Sequence, residues 1–311
     1  MARFKTLLYS LVAGALVALP APAPATDVDG PDDCARPLED FGDAPEGIPC
    51  YPGGILGKFP TCLAPGPVGT MELACPPIST PPGPAGFIHH VQPVGAAPHY
   101  WLGCYIVPGG PEGIDSEPDG KVNTPAVGSS ACHAGLATDC IETAFTPAMT
   151  FDQDECFGDG SDAGLMAIPS FSACHIATIK FSTANCGPSR QVFLNICVDM
   201  NADGDWNDNF QCPTGGCAYE WAVKNAPLAL SVTGCEAHTS PVFLIGPQDG
   251  PSWMRITISD TPMPDDYPWN GSAGLPGGIV QGGETEDYPV VIATPTGATS
   301  ATWGHLKMLY R

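Results

Sequence analysis

The alternation of apolar and polar side chains is clearest in the second half of the chain. Apolar residues occupy every second position from 192 to 198 and again from 254 to 258. A period of two predicts β-strands that bury one face. Shorter apolar runs add candidate strands at 100–107, 175–183, 219–224, 228–233, 241–245 and 287–293. No stretch carries a sustained apolar stripe at the helical period, so the sequence predicts an all-β fold with little helix.

The first half of the chain has a different character. From Cys34 to about Pro125 it is rich in proline, glycine and cysteine, and strand signals are scarce. The whole chain holds 37 glycines and 36 prolines, which favours many turns between short strands. Short strands separated by turns predict two packed sheets. We therefore expect a β-sandwich, jelly-roll-like, with long Pro/Gly/Cys-rich loops and disulfide staples.

The cysteines carry information about the compartment. There are fourteen of them, spread singly, and an even number argues for a disulfide framework. Zinc sites use closely spaced cysteine pairs, and only Cys212 and Cys217 come close to that spacing. Haem attachment needs a C-x-x-C-H motif, which neither Cys132-His133 nor Cys174-His175 completes. Disulfides are the preferred interpretation, metal or redox roles are the alternative, and the connectivity stays open.

Residues 1–25 have the features of a secretory signal peptide. Arg3 and Lys5 precede a short apolar run, which Pro20 ends before a small-residue cleavage pattern. An uncleaved anchor is the alternative, but the run is shorter than the ~20 residues that span a bilayer. We therefore expect a secreted or cell-surface protein with no transmembrane segment in the mature chain.

The rest of the chain is expected to form a single domain at 26–293. A Thr/Pro/Ser/Gly/Ala linker at 294–302 follows, and it leads to a basic, amphipathic tail at 303–311. The tail is either a loose terminus or a tag for sorting or attachment. The net charge of −22 argues against nucleic acid as a partner and favours cations. The expected partner is a cell-surface or extracellular protein or glycan.

The most informative segment is Asp199-Met-Asn-Ala-Asp-Gly-Asp-Trp-Asn-Asp208, called the acidic loop below. Oxygen-bearing side chains stand at alternate positions, with Gly204 in the turn, as at the start of an EF-hand calcium loop. Phe210 stands where an EF-hand places its bidentate glutamate, so another segment must complete any site. The alternative is an acidic turn that faces water. The predicted calcium ligands in the loop are Asp199, Asn201, Asp203 and Asp205.

Other acidic segments are candidates to complete this site. Glu284, Glu286 and Asp287 open the last predicted strand, and further clusters lie at 115–120 and 152–155. Gathering so many carboxylates without a counter-ion costs several kcal/mol in repulsion and desolvation. We therefore expect the three carboxylates near the C-terminus to meet the acidic loop around a shared Ca²⁺.

Three motifs in order resemble those of GEVED-type domains of bacterial secreted and cell-surface proteins. They are Asp40-Phe-Gly-Asp-Ala-Pro-Glu46, Val198-Asp-Met-Asn-Ala-Asp-Gly-Asp-Trp206 and Gly283-Glu-Thr-Glu-Asp-Tyr288, the last with Thr285 in place of valine. The resemblance covers roughly residues 38–293. It implies an all-β, surface-associated module without an established catalytic role. The many cysteines and the Pro-rich insertions around 50–100 depart from the family pattern and affect the expected domain boundaries and loop geometry.

Catalytic patterns are absent from the sequence. It has no G-x-S-x-G, no H-E-x-x-H and no Gly-rich phosphate loop. His89, His90 and His99 lie close enough in sequence to suggest a transition-metal site, although loop or packing roles are commoner. We expect a non-enzymatic structural or adhesion module. A carbohydrate-binding module, with sugars stacking on Trp101, Trp206, Trp221 or Trp269, is the alternative, and an exported hydrolase comes after it.

Overall fold

The computed structural model describes residues 39–61 (without 41 and 43), 66–79, 86–91, 100–103, 164–185 (without 168), 187–271 (without 214 and 233) and 279–295. The predicted signal peptide, the C-terminal tail, most of the linker, His99 and the acidic clusters at 115–120 and 152–155 lie outside these ranges. No helix among the described residues has the length and apolarity to cross a membrane.

The described protein is almost entirely β-structure, as predicted. Its strands are β1 Glu39–Asp40, β2 Glu46–Pro49, β3 Leu56–Lys58, β4 His90–Val91, β5 Tyr100–Leu102, β6 Phe171–Ser172, β7 Ile176–Ala177, β8 Lys180–Asn185, β9 Arg190–Val198, β10 Asn209–Gln211, β11 Cys217–Tyr219, β12 Trp221–Leu230, β13 Gly234–Thr239, β14 Phe243–Leu244, β15 Gly250–Ser259, β16 Val280–Gln281 and β17 Glu284–Ala293. One single-turn helix, α1 Tyr267–Asn270, begins with Pro268 in its first turn.

Five strands form the main sheet, in the order β12-β9-β15-β17-β6. All neighbours are antiparallel except β17 and β6, which are parallel. Ile256 of β15 pairs with Ile196 of β9 on one side and with Glu286 of β17 on the other. A second sheet has the order β13-β8-β5.

The apolar core lies between these two sheets. The even-numbered residues of β9, β15 and β17 point into it, which confirms the predicted period-two pattern. The second sheet contributes Phe181, Tyr100 and Leu102, all fully buried. Two packed sheets around one apolar core make this a β-sandwich.

The opposite face of the main sheet is also buried, which the alternating pattern alone does not predict. Segments from the Pro/Gly-rich half of the chain and α1 cover it, with a second apolar cluster of Phe59, Ile88, Trp206, Trp253, Tyr267 and others. Two small sheets, β1-β4-β16 and β2-β3, contain the strands of this half of the chain. Two further strand pairs, β10-β11 and β14-β7, pack against the main core.

Two predicted strands turn out to be one. The runs at 219–224 and 228–233 both contribute to the single strand β12, Trp221–Leu230, although Tyr219 belongs to β11. The pairing of β12 with β9 shifts twice between Trp221 and Ala226. Pro227 lies in the same strand. Irregular pairing and an internal proline are typical of an edge strand, and they broke the apolar pattern that a regular strand shows.

Disulfides staple the fold, as expected. Cys75 bonds to Cys217 and Cys174 to Cys212, and Cys235 is disulfide-bonded as well. Cys50 and Cys197 are free and buried. The expectation of a disulfide framework is thus met, but the framework does not include every cysteine.

Candidate metal site on the acidic loop

The acidic loop begins where β9 ends, and Asp199 organises it. Its Oδ1 accepts hydrogen bonds from the backbone N–H groups of Asn201 (3.2 Å) and Ala202 (2.7 Å). Its Oδ2 accepts from the N–H of Gly204 (2.9 Å) and from the Tyr51 hydroxyl (2.8 Å). Because four donors converge on this fully buried carboxylate, Asp199 shapes the loop from inside.

Gly204 is required by the loop geometry. Its φ of +91° lies in the region that residues with a side chain rarely adopt. A Cβ at this position would come within 2.6 Å of the Leu56 carbonyl oxygen of β3. The glycine therefore lets the acidic loop turn and lets β3 lie directly against it.

Three carboxylates of the loop, Asp203, Asp205 and Asp208, form what we call the acidic triad. One ligand atom from each lies within 4.8 Å of the others, close enough to hold a single metal ion. Asp203 and Asp205 were predicted as ligands. Asp208 was not, although it ends the same acidic run, which is the signal that identifies it.

The triad is covered by residues 66–79, called the covering segment. Asp205 Oδ2 accepts a hydrogen bond from the N–H of Thr70 (3.0 Å), and Asp208 Oδ1 accepts one from the N–H of Glu72 (2.5 Å). The Cys75–Cys217 disulfide then ties this segment to β11. The covering segment thus supplies the enclosure that a water-facing acidic turn would lack.

Asn207 brings a buried side-chain amide next to the triad. Its side chain is 4% exposed, and its Oδ1 accepts no hydrogen bond from any described residue. Its amide lies beside the Asp205 carboxylate, since both come within 2.5 Å of the position that a Cβ on Gly69 would take. A buried amide oxygen without a donor is costly unless a cation or water satisfies it.

The carboxyl groups of the loop are held at raised pKa values. Burial, followed by repulsion from Asp203, raises the pKa of Asp205 to about 6. Burial, with repulsion from Asp205 and Asp203, raises the pKa of Asp208 to about 7. Burial also raises the pKa of Asp199 to about 7, with Asp203 and Asp205 adding to it. The loop therefore gathers more negative charge than its surroundings stabilise near neutral pH.

Glu220 belongs to the same environment, and sequence analysis missed it. Its two oxygens accept hydrogen bonds from the N–H groups of Met200 (2.7 Å) and Asp208 (2.9 Å), so it supports both ends of the loop. Burial and the negative charge of Asp199 raise its pKa well above the usual range. It lies in a separate strand connection, and no local motif marks it.

Among the predicted loop ligands, Asn201 keeps its amide within the loop, because it donates to Asp208 of the triad (2.7 Å). The predicted completing carboxylates, in contrast, do not reach the triad. Glu284 pairs with Ile258, five residues along β15 from Trp253, whose carbonyl accepts the Asp199 N–H. That offset of five residues places Glu284 about 17 Å from the level of Asp199 along the strand direction. Glu284 instead accepts a hydrogen bond from the Leu102 N–H, on the core side of the sheet.

Glu286 and Asp287 lie on opposite faces of β17, because adjacent strand residues alternate. Glu286 shares the core-facing side with Glu284, and Asp287 faces the covered side. The expectation that these three carboxylates meet the acidic loop around one cation is therefore not met. Their counter-charges must be found elsewhere.

For Asp287 the counter-charge is Arg255, which no motif had singled out. The Arg255 guanidinium donates Nε to Asp287 Oδ1 (2.7 Å) and Nη2 to Oδ2 (2.5 Å), and both side chains are fully buried. Burial alone would lower the pKa of Arg255, but the Asp287 carboxylate raises it above its usual value. This is a two-point ion pair of the strong kind.

All three motifs of the family resemblance meet at this arginine. From the first motif, Ala44 donates its N–H to Asp287 Oδ2 (2.7 Å), and a Cβ on Gly42 would lie 2.5 Å from Arg255 Nη2. From the second, the Trp206 ring lies 4.6 Å from the guanidinium carbon. The positive group shared by distant segments is therefore a protein side chain.

His90 is not free to serve as a ligand of the suggested metal site, and His99 lies outside the described residues. His90 is fully buried, with Nδ1 2.9 Å from the Gly282 carbonyl and Nε2 2.9 Å from the Thr285 hydroxyl. A carbonyl only accepts, so Nδ1 carries the proton and Nε2 accepts from Thr285. The chain continues through Thr257 (2.8 Å) to the Tyr267 hydroxyl (2.6 Å). Burial lowers the pKa of His90 to about 3, so it stays neutral.

The tryptophans proposed as sugar platforms are mostly core residues. Trp206, Trp221 and Trp269 are 1%, 2% and 3% exposed, respectively. Trp101 is partly buried on β5. Three of the four tryptophans are therefore packed in the core and are not exposed to bind sugars.

Comparisons with known proteins give little beyond the fold class. No protein-family model matches the chain, and no curated protein matches its sequence. Escherichia coli α2-macroglobulin, spanning domain MG7 to the C-terminus, is similar over 41% of this chain and 16% of its own, at 12% identity and a TM-score of 0.22. A Pyrococcus furiosus CARDB domain in complex with di-metal ions is similar over 40% of this chain and 81% of its own, at 8% identity and a TM-score of 0.22. Likenesses this weak carry no argument about function.

Proposed function

We propose that this chain is an exported, non-catalytic β-sandwich module whose acidic loop binds a calcium ion. The observation that carries the proposal is the acidic triad, with one ligand atom from each carboxylate within 4.8 Å of the others. Beside it lies the buried Asn207 amide, whose oxygen accepts no hydrogen bond from the described residues. Calcium prefers six to eight oxygen ligands, including carboxylates and amide carbonyls, in flexible geometry. A bound dication would relieve the repulsion that raises the pKa values of Asp205 and Asp208.

The role as a module without chemistry of its own is supported by how the buried reactive groups are used. His90 is neutral and hydrogen-bonded at both nitrogens. Burial raises the pKa of the free thiol of Cys50 to about 12, and also raises that of Cys197, so both stay protonated. The disulfides agree with an oxidising compartment. The GEVED-like motifs suggest attachment at a bacterial cell surface.

The test is thermal unfolding of the oxidised protein with calcium chloride, with magnesium chloride and with a chelator. An extracellular-type affinity of about 10⁻⁴ to 10⁻³ M would give about 1–3 kcal/mol of stabilisation at ~10 mM calcium, and thus several degrees in Tm. The variant Asp203→Asn keeps an oxygen for the Asp205 N–H (3.3 Å) but removes one charge of the triad, so it should lose most of this gain.

The matched control is Asp265→Asn, which removes a carboxylate that is 66% exposed and whose described ion pair is with Lys224 and not with the acidic loop. It should keep the calcium gain of the wild type. A wild-type melting temperature that is the same with calcium and with chelator would rule out the calcium site.

A further inference from the structure

We infer that Lys58 is an internal competitor of the bound cation and sets the affinity of the site. The inference rests on the proposed calcium site and concerns its regulation by the chain itself. Lys58 ends β3, in the proline- and glycine-rich half of the chain.

The backbone of Lys58 is fixed against the acidic loop. Its N–H donates to the Gly204 carbonyl oxygen at 2.6 Å, and the Leu56 carbonyl packs against the Cα of the same glycine. The side chain therefore starts from a defined point beside the acidic triad. Its own exposed fraction is 23%, so the ammonium group is close to water but not surrounded by it.

The ammonium group contacts two residues of the triad. Lys58 Nζ lies 3.1 Å from the Asp203 carbonyl oxygen and 3.4 Å from Asp205 Oδ2, whose side chain is 1% exposed. Among the ion pairs of the described residues, this is the one that reaches the triad. A positive charge there lowers the pKa of Asp205 against the stronger effect of burial.

Calcium and this ammonium group would both contact Asp205 Oδ2, and each weakens the binding of the other because both are positively charged. When calcium enters the triad, repulsion moves the Lys58 ammonium outward, which its flexible stem and partial exposure allow. Without calcium, the ammonium group offsets part of the charge of the buried carboxylates. Lys58 therefore keeps the cation-free protein folded and, for the same reason, weakens calcium binding.

The test compares calcium binding by calorimetry in the wild type, Lys58→Met, Lys58→Arg and Lys224→Met. Methionine keeps most of the apolar stem and removes the charge, whereas arginine keeps the charge. Lys224→Met is the matched control for net charge. The Lys224 ammonium pairs with exposed Asp265 (2.7 Å) and donates to the Ile78 carbonyl of the covering segment (2.6 Å), but it has no described hydrogen bond or ion pair with the triad. Coulomb repulsion between a dication and an ammonium a few ångströms apart predicts that Lys58→Met binds calcium about ten-fold or more tightly than the wild type.

Lys58→Met should also melt at a lower temperature than the wild type in chelator. The difference in Tm between calcium and chelator should therefore be larger in Lys58→Met than in the wild type. Lys58→Arg should bind calcium within about three-fold of the wild type because it keeps the charge. Lys224→Met should do the same, because the Lys224 charge is partly exposed, is screened by salt and makes no described contact with the triad. Equal tightening in Lys58→Met and Lys224→Met, or none in Lys58→Met, overturns the role of Lys58 while the calcium site stands. Binding by Lys58→Met but not by the wild type supports it. No binding in any of the four proteins removes the calcium site and this inference together.

Discussion

At the scale of single residues, the main finding is that the counter-ion of Asp287 is an arginine and not a metal ion. Asp287 was expected beside a metal ion, and it instead holds the guanidinium of Arg255 in a fully buried ion pair. Arg255 also donates to the Pro60 carbonyl (2.8 Å) and the Thr61 hydroxyl (3.1 Å). A buried charge with this many partners holds the chain around Pro60 and Thr61 in one position on the main sheet.

Replacing Asp287 by asparagine should therefore destabilise the protein severely. The guanidinium would remain buried without its counter-charge, and such losses are about 3–5 kcal/mol. Asp260→Asn is the control, because Asp260 is 45% exposed and its pair with Arg190 should contribute less than about 1 kcal/mol. Urea unfolding measures both. A loss at Asp287 no larger than that at Asp260 would contradict the assigned role of the ion pair.

At this scale the sequence showed which loop is acidic but not which oxygens are taken. Alternate spacing pointed to Asp199 as the first ligand, yet four hydrogen-bond donors occupy it. One of these donors, Tyr51, lies 148 positions earlier in the chain. Contacts over such separations leave no local pattern, so Tyr51, Lys58 and Glu220 could not be found from spacing.

At the scale of elements, the strands divide by how regular they are. β9 and β15 were predicted from their alternation and form the centre of the main sheet. The elements of the first half are two to four residues long, too short for a periodic signal. They are held by pairing with distant segments, as when the backbone of β3 bonds to the acidic loop. Their positions depend on tertiary contacts rather than on local propensity.

The covering segment illustrates this dependence and can be released by mutation. Changing both Cys75 and Cys217 to alanine removes a bond between residues 142 positions apart, which should lower the free energy of unfolding by about 2–5 kcal/mol. It should also reduce the Tm gain from calcium, because Thr70 and Glu72 would no longer be held on Asp205 and Asp208.

The control for this experiment is the double change of Cys174 and Cys212 to alanine. That disulfide joins residues 38 positions apart, and its removal should destabilise the protein without reducing the calcium gain. Thermal melts with calcium and with chelator give both quantities. If the two double variants keep the same calcium gain, the covering segment has no part in the site.

At the scale of the whole molecule, the main sheet separates two kinds of interior. One face packs apolar side chains against the second sheet, and the other buries a polar network that includes Arg255, Asp287 and His90. The sequence predicted the first face from alternation. It did not predict the second, because polar residues on a strand normally indicate exposure to water.

The balance of buried charges predicts how calcium stabilisation varies with pH. In the cation-free protein, Asp199, Asp205 and Asp208 have pKa values of about 7, 6 and 7, above the value of 3.8 in an unfolded chain. The folded state then holds protons that the unfolded state has lost, so these groups make stability fall as pH rises from about 4 to 7. His90 acts oppositely, because its folded pKa is about 3 against 6.5 when unfolded.

Calcium in the proposed site would compete with the protons on the triad and would have no contact with His90. The difference in Tm between calcium and chelator should therefore grow from pH 5 to pH 7.5, whereas the His90 contribution cancels in the difference. Melts at half-unit pH steps measure it. A difference that is constant across this range would mean that the raised carboxyl pKa values do not belong to the cation site.

The two free thiols impose an order on how this protein matures. Cys50 and Cys197 lie in the cluster on the covered face of the main sheet, 2% and 0% exposed. In an oxidising compartment, a thiol escapes pairing only while oxidants and other thiols cannot reach it. If the protein matures in such a compartment, as proposed, the covered face would have to close before thiol oxidation is complete. Slow docking of the proline-rich half would then leave these two sulfurs exposed to wrong partners and lower the yield of native protein.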